Sequence, residues 1–134
     1  MIGGGKATHV GTDFGDGTLT DSGYPRLAKR WRRGTPLAEA VTVFEGEQTD
    51  VAISAWHDST PGFERSFVER AVDFYTSQRF QLLDDGSLIR IDTPEDARIS
   101  AYREWLLVRP RSPWTVGDTT YPAGSLLARR CGRL

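Results

Sequence analysis

The chain is poor in the residues that usually announce chemistry. It has one cysteine, Cys131, so no internal disulfide can form, and its two histidines, His9 and His57, are too few for a metal cage. The longest purely apolar stretches are a few residues, such as Trp105-Leu106-Leu107-Val108, which excludes a helix that spans a bilayer. The first residues, Met1-Ile2-Gly3-Gly4-Gly5-Lys6, lack the apolar region of a secretory signal. A charge excess of either sign is also missing: 17 basic and 18 acidic residues leave a net charge of -1. That balance argues against a general nucleic-acid binder, which shows a basic excess. These absences give the expectation of a cytoplasmic protein without metal or cofactor.

What is present fits one domain. A chain of 134 residues can bury roughly two-thirds of its unfolded surface in a core of its own. Lysine occurs only at Lys6 and Lys29, and every other basic residue is arginine. Arginine suits bidentate contacts to carboxylates, but a preference spread along the whole chain marks no site.

Turn signals are dense. Asp16-Gly17, Thr60-Pro61-Gly62, Asp84-Asp85-Gly86, Thr93-Pro94, Gly117-Asp118 and Tyr121-Pro122-Ala123-Gly124 punctuate the chain in the manner of short strands joined by tight loops. Phe80-Gln81-Leu82-Leu83 and Ser87-Leu88-Ile89-Arg90-Ile91 flank an Asp-Gly turn and predict a hairpin with a primed turn. Val51 to Trp56 alternates as a half-buried strand with Val51, Ile53 and Ala55 on one side. Trp105 to Val108 is apolar at both parities and predicts an interior strand between layers. Leu126 and Leu127 open another strand after Gly124.

Two stretches read as helix. Phe63, Phe67, Ala71 and Phe74 or Tyr75 recur at spacings of three to four, the pattern of one helical face over residues 63–75, which periodicity favours over the strand alternative with Val68, Val72 and Phe74 on one face and Arg70 interrupting. Thr35-Pro36-Leu37-Ala38-Glu39-Ala40 has the form of a helix start, with Thr35 as N-cap and Pro36 in the first position.

The motifs of common enzymes are missing. There is no Gly-x-Ser-x-Gly nucleophile elbow, no P-loop and no dinucleotide-binding glycine spacing. His57, with Ser59 two positions on, has the chemistry of a general base, but its place before a Pro-Gly turn reads as a surface histidine at a strand end. Asp13-Phe14-Gly15-Asp16-Gly17 lacks the third carboxylate and the closing Glu of a calcium loop and reads as a turn. Asp84-Asp85 and Glu95-Asp96 read as solvated loop carboxylates. The one dense charge feature is Arg26-Leu27-Ala28-Lys29-Arg30-Trp31-Arg32-Arg33. A nucleic-acid site that combines stacking with phosphate contacts has this composition. Glu45, Glu47 and Asp50 follow closely, and pairing across antiparallel strands is the reading preferred here.

Longer phrases carry more than single motifs. Val10-Gly11-Thr12-Asp13-Phe14-Gly15, Ser22-Gly23-Tyr24-Pro25-Arg26, Lys29-Arg30-Trp31-Arg32-Arg33-Gly34-Thr35-Pro36-Leu37 and Val41-Thr42-Val43-Phe44-Glu45-Gly46 follow one another in order. They continue through Thr60-Pro61-Gly62-Phe63-Glu64-Arg65, Arg103-Glu104-Trp105-Leu106-Leu107, Trp114-Thr115-Val116-Gly117 and Thr119-Thr120-Tyr121-Pro122-Ala123-Gly124-Ser125-Leu126-Leu127. Over residues 10–128 the chain resembles the N-terminal β-propeller domain of bacterial serine peptidases of the prolyl oligopeptidase family.

The resemblance implies an all-β fold: a partial β-propeller of about two and a half to three four-stranded antiparallel blades from a seven-bladed ring. It makes residues 63–75 strand and connecting loop, against the periodicity. Residues 1–9 and 129–134 do not match the family's pattern, as in a truncated or frame-shifted product. In the family the propeller restricts entry of short peptides to a Ser-Asp-His triad on a separate α/β-hydrolase domain, which cuts after proline. No triad position has a counterpart here, so no catalytic, cofactor-binding or metal-binding residue is expected and the chain should be inactive alone. The expected partners are the hydrolase domain of a full-length parent, whose own compartment is cytoplasmic or periplasmic, and, through that parent, short peptides. No nucleic acid or membrane is expected. Open blade edges and apolar faces predict marginal stability and self-association. The alternative is a stand-alone β-rich binding module that acts through an exposed sheet edge or through residues 26–33.

Overall fold

A computed structural model of the protein describes residues 7–130; Cys131 and the first six residues lie outside them. Nearly every turn signal separates two strands, and the described residues contain no α-helix. Three antiparallel sheets follow one another along the chain. The first holds β1 (Ala7–Val10), β2 (Leu27–Arg32) and β3 (Val41–Glu45). The second is a meander of β4 (Ala52–Asp58), β5 (Arg65–Ala71), β6 (Ser77–Leu82) and β7 (Leu88–Arg90). The third has β8 (Arg98–Tyr102), β9 (Trp105–Arg109) and β12 (Leu127–Arg130), and a separate hairpin of β10 (Trp114–Val116) and β11 (Thr119–Tyr121) interrupts it. The all-β expectation holds, but among the described residues only the middle sheet has the four strands expected of each blade. β1 and β12 cross the boundaries drawn at residues 9/10 and 128/129, so residues on both sides of each boundary belong to one fold.

Two apolar layers join the sheets face to face. Ala28 of the first sheet packs with Ile53, Val68 and Leu82 of the second, and Val43, Phe44 and Phe80 surround them. On the opposite face of the middle sheet, Phe67 is buried and lines a small gap shared with Ile99, Ala101 and Leu106 of the third, while Trp56, stacked on Phe67, stays 43% exposed. The middle sheet is therefore covered on both sides. Backbone also ties the sheets, since Ile53 N–H donates to the Pro25 carbonyl at 2.9 Å.

This double cover explains why residues 63–75 form strand and connecting loop, as the family resemblance implies, and why their helical periodicity misleads. Residues 65–71 form β5, in which the neighbours Phe67 and Val68 are both buried, at 2% and 0% exposure. A strand buried on both faces places apolar side chains at both parities, and its sequence loses the alternation that marks a half-buried strand. The tip beyond it, Phe74 and Tyr75, is exposed; Asp73 holds it by accepting from the N–H groups of Tyr75 and Thr76, both at 2.8 Å.

The second helix expectation is also corrected. Only a single 3-10 turn forms, Leu37–Glu39, with Pro36 in the cap position. Thr35 does not cap it, because its hydroxyl donates to the Arg32 carbonyl at 2.6 Å. The 80–91 hairpin forms as expected, with Leu82 opposite Leu88. Its turn is not the primed type: Leu83 N–H donates to Ser87 O and Gly86 N–H to Leu83 O, both at 2.9 Å, and within this turn only Gly86 takes positive φ, at 88°. β9 is central in its sheet, as expected of an interior strand, but it is not sandwiched. Leu106 and Val108 are buried while Trp105 on the other face is exposed.

Candidate functional site

β1 and β4, the first strands of consecutive sheets, lie side by side, and a groove of about 310 Å³ opens at their shared end. His9 and Arg30, directly opposite in the β1–β2 register, supply one wall. His57 and Ser66, directly opposite across β4–β5, supply the other, with Glu64 and Asp84 at the rim. The Ser66 hydroxyl sits between the two imidazoles, 2.9 Å from His57 Nδ1 and 3.2 Å from His9 Nε2.

One hydroxyl proton cannot serve two acceptors, so at least one imidazole donates to Ser66 Oγ. His9 Nδ1 is buried without a partner. A proton there would be a buried donor with nothing to bond, which fixes His9 as the neutral Nε2–H tautomer and makes it the donor. His57 Nδ1 accepts the Ser66 proton in its Nε2–H tautomer and donates to the second Oγ lone pair in the other. Burial, and after it the charges of Arg30 and His57, holds the His9 pKa below its ordinary value.

A serine bonded to an imidazole is half of a nucleophile–base arrangement, but the other half is missing. Among the described residues neither imidazole hydrogen-bonds a carboxylate, so nothing orients His57 as a base. His57 is an exposed residue near the end of β4, as the sequence suggested, but its partner is Ser66 rather than Ser59. Ser66 and His9 escaped the sequence reading because their meeting depends on cross-strand register and on the packing of two sheets, which no local pattern encodes.

The other candidates are held by structural contacts. Of the three acids expected to pair with residues 26–33, only Glu45 does, accepting from Arg26 Nη1 at 2.7 Å. Asp50 turns instead to Arg70, and within the basic stretch Lys29 stands over the Phe14 ring at 4.3 Å. Asp13 accepts from Gly15 N–H in the 13–17 turn, Glu95 pairs with Arg90, and Asp96 accepts from the Ser112 hydroxyl. No cluster of metal-ligating side chains occurs among the described residues, and no helix there is long and apolar enough to cross a membrane.

Comparison with known proteins bears on the whole fold rather than on the groove. No family model matches the chain. It is 28% identical over 117 residues to the uncharacterized peptidase RP174 of Rickettsia prowazekii, a match that spans 82% of this chain and 16% of that protein. It also superposes on a post-proline cleaving enzyme from Rickettsia typhi with a TM-score of 0.84 and 24% identity, covering 92% of this chain and 19% of the other. The part matched is the propeller domain, in keeping with sheets that stack face to face in chain order. By fold, and by the order of its sequence phrases, the chain is similar to a portion of the β-propeller of a prolyl oligopeptidase.

Proposed function

We propose that the chain is a non-catalytic propeller segment of a bacterial serine endopeptidase of the prolyl oligopeptidase type. In this reading it forms part of the wall that limits peptide entry to an active site on a separate α/β-hydrolase domain. The observation that carries the reading is the cover on both faces of the middle sheet, with Val68 packed toward the first sheet and Phe67 toward the third. Radial repetition of antiparallel sheets requires each blade to be buried in this way. The peptidase similarity of the matched proteins supports it, and so does the small share of their length that the chain spans.

The groove at Ser66 is assigned no catalytic role, because His57 lacks an orienting carboxylate. The functional partner is the hydrolase domain, and cytoplasmic residence belongs to the same reading. Two measurements test it. A proline-containing chromogenic peptide should give no turnover with this chain, and a fluorophosphonate probe should leave Ser66 unlabelled; turnover or labelling would overturn the non-catalytic assignment. The gene sequence downstream of Leu134 should encode Gly-x-Ser-x-Gly followed by Asp and His. Its absence in every frame would favour a stand-alone binding module.

A further inference from the structure

The groove between β1 and β4 is lined by three charges that the fold leaves unanswered. Arg30 of β2 faces it from the first sheet, while Glu64, directly before β5, and Asp84, just after β6, line it from the second. All three are exposed, and none has an ion pair or a side-chain hydrogen bond among the described residues. Elsewhere in the middle sheet charges are matched, Arg70 by Asp50 and Arg79 by Glu69. Leu82, Leu83 and Ala7 give the same groove an apolar lining.

Within the histidine cluster, the Ser66 proton is the one that can change partner. His9 donates to Ser66 Oγ through its Nε2–H, at 3.2 Å, because its Nδ1 is buried with nothing to bond. When His57 carries its proton on Nε2, Ser66 donates to His57 Nδ1. When the proton is on Nδ1, Ser66 Oγ accepts from both imidazoles and its own proton is left for an acceptor in the groove. Arg30 lies directly opposite His9 in the register, so that acceptor would stand beside a guanidinium. A carboxylate answers both groups.

Other ligands fit less well. A metal ion on His9 Nε2 would force a proton onto Nδ1, which has no acceptor. A lone anion such as phosphate would meet the like charges of Glu64 and Asp84. We propose that the groove binds a linear aliphatic ω-amino acid, its carboxylate against Arg30 and the Ser66 hydroxyl, its ammonium against Glu64 and Asp84, and its methylenes along Leu82 and Leu83. A short peptide has the same charged ends, but its amides would lie against leucines without hydrogen-bond partners. The groove volume of about 310 Å³ suffices for such a molecule. Binding moves His57 to the Nδ1–H tautomer without changing its charge, since the exposed ring exchanges protons with water.

The test titrates the full chain, with isotopically labelled histidine ring nitrogens, at a pH well above the ordinary imidazole value of 6.5. The probes are ε-aminocaproate, caproate, hexylamine and triglycine, and the ring-nitrogen NMR shifts report both binding and tautomer. ε-Aminocaproate should bind saturably and move the His57 signals toward the Nδ1–H form. The other three probes should bind about tenfold or more weakly, each lacking one charged end or the apolar middle. Arg30→Gln and the Glu64→Gln/Asp84→Asn variant should each weaken ε-aminocaproate by about tenfold, and Arg33→Gln should leave it unchanged. Every substituted side chain is exposed, so thermal unfolding of the variants should match that of the parent chain. The proposal is overturned if ε-aminocaproate does not bind saturably, if both charge variants bind it as well as the parent, or if the His57 tautomer stays fixed on binding. Equal binding of caproate would overturn it in favour of a plain anion site, and tighter binding of triglycine in favour of a peptide. None of these outcomes depends on the downstream gene sequence, so failure here is distinguishable from failure of the family reading.

Discussion

Asp50 accepts from Arg70 Nε at 2.7 Å, and the same carboxylate oxygen accepts the Glu47 backbone N–H at 2.7 Å. One buried carboxylate thus ties the loop ahead of β4 to the far end of β5. Burial alone would raise the Asp50 pKa; the Arg70 hydrogen bond, the Glu47 N–H and the Arg70 charge outweigh it and hold the carboxyl below its ordinary value. Since the folded value is the lower one, the stabilisation is complete above the unfolded value of 3.8 and is lost as pH falls through the folded value. The Asp50→Asn variant should lose about 3 kcal/mol at neutral pH, because Arg70 is left without its anion. Urea unfolding of both proteins should show that difference narrowing below pH about 4; a constant gap would remove the ion pair as the cause.

His9 predicts a second pH effect in a different window. Its pKa is lowered on folding, first by burial and then by Arg30 and His57. Stability should therefore be full above the unfolded value of 6.5 and decline as pH falls below it, levelling off beneath the folded value. Thermal unfolding followed across this range should show the decline in the parent chain and a flatter profile in His9→Gln.

Burial of β5 on both faces makes substitution of either of two neighbouring residues costly. Phe67→Ala should cost about 3–5 kcal/mol, and Val68→Ala about 1.5–3 kcal/mol. In a strand with one wet face, one of the two substitutions would be nearly neutral. Chemical denaturation of the two single variants separates the cases.

Gly46 is confined by close approach. A Cβ there would lie 2.5 Å from Ile53 Cδ1 and 2.9 Å from Asp50 Oδ2. Both neighbours are committed, Ile53 to the core and Asp50 to Arg70. Gly46→Ala should destabilise by about 1–3 kcal/mol through overpacking, measurable as a lower midpoint in thermal unfolding.

The part of the fold legible in the sequence was the part with local causes. The 80–91 hairpin announces itself through Asp85 and Gly86, because turn chemistry acts within a few residues. Even there, the sequence did not reveal that Gly86 alone would adopt positive φ. Ile53 and Ala55 alternate against exposed Ser54 and Trp56, so β4 was readable as a strand with one core face. Ser66 was not readable as the meeting point of two histidines. Its contact with His9 joins residues 57 positions apart, and only the packing of two sheets brings them together.

By itself the sequence determined where the chain turns, that it is almost wholly β, and, through the order of its longer phrases, which family's fold it resembles. Tertiary structure decided the rest. It sent Asp50 to Arg70 instead of the basic stretch, brought Ser66 between His9 and His57, and buried Phe67 and Val68 on opposite faces of one strand. The reason is physical: turns depend on backbone preferences of a few adjacent residues, whereas cover on a sheet's second face depends on a neighbouring sheet that no local pattern encodes.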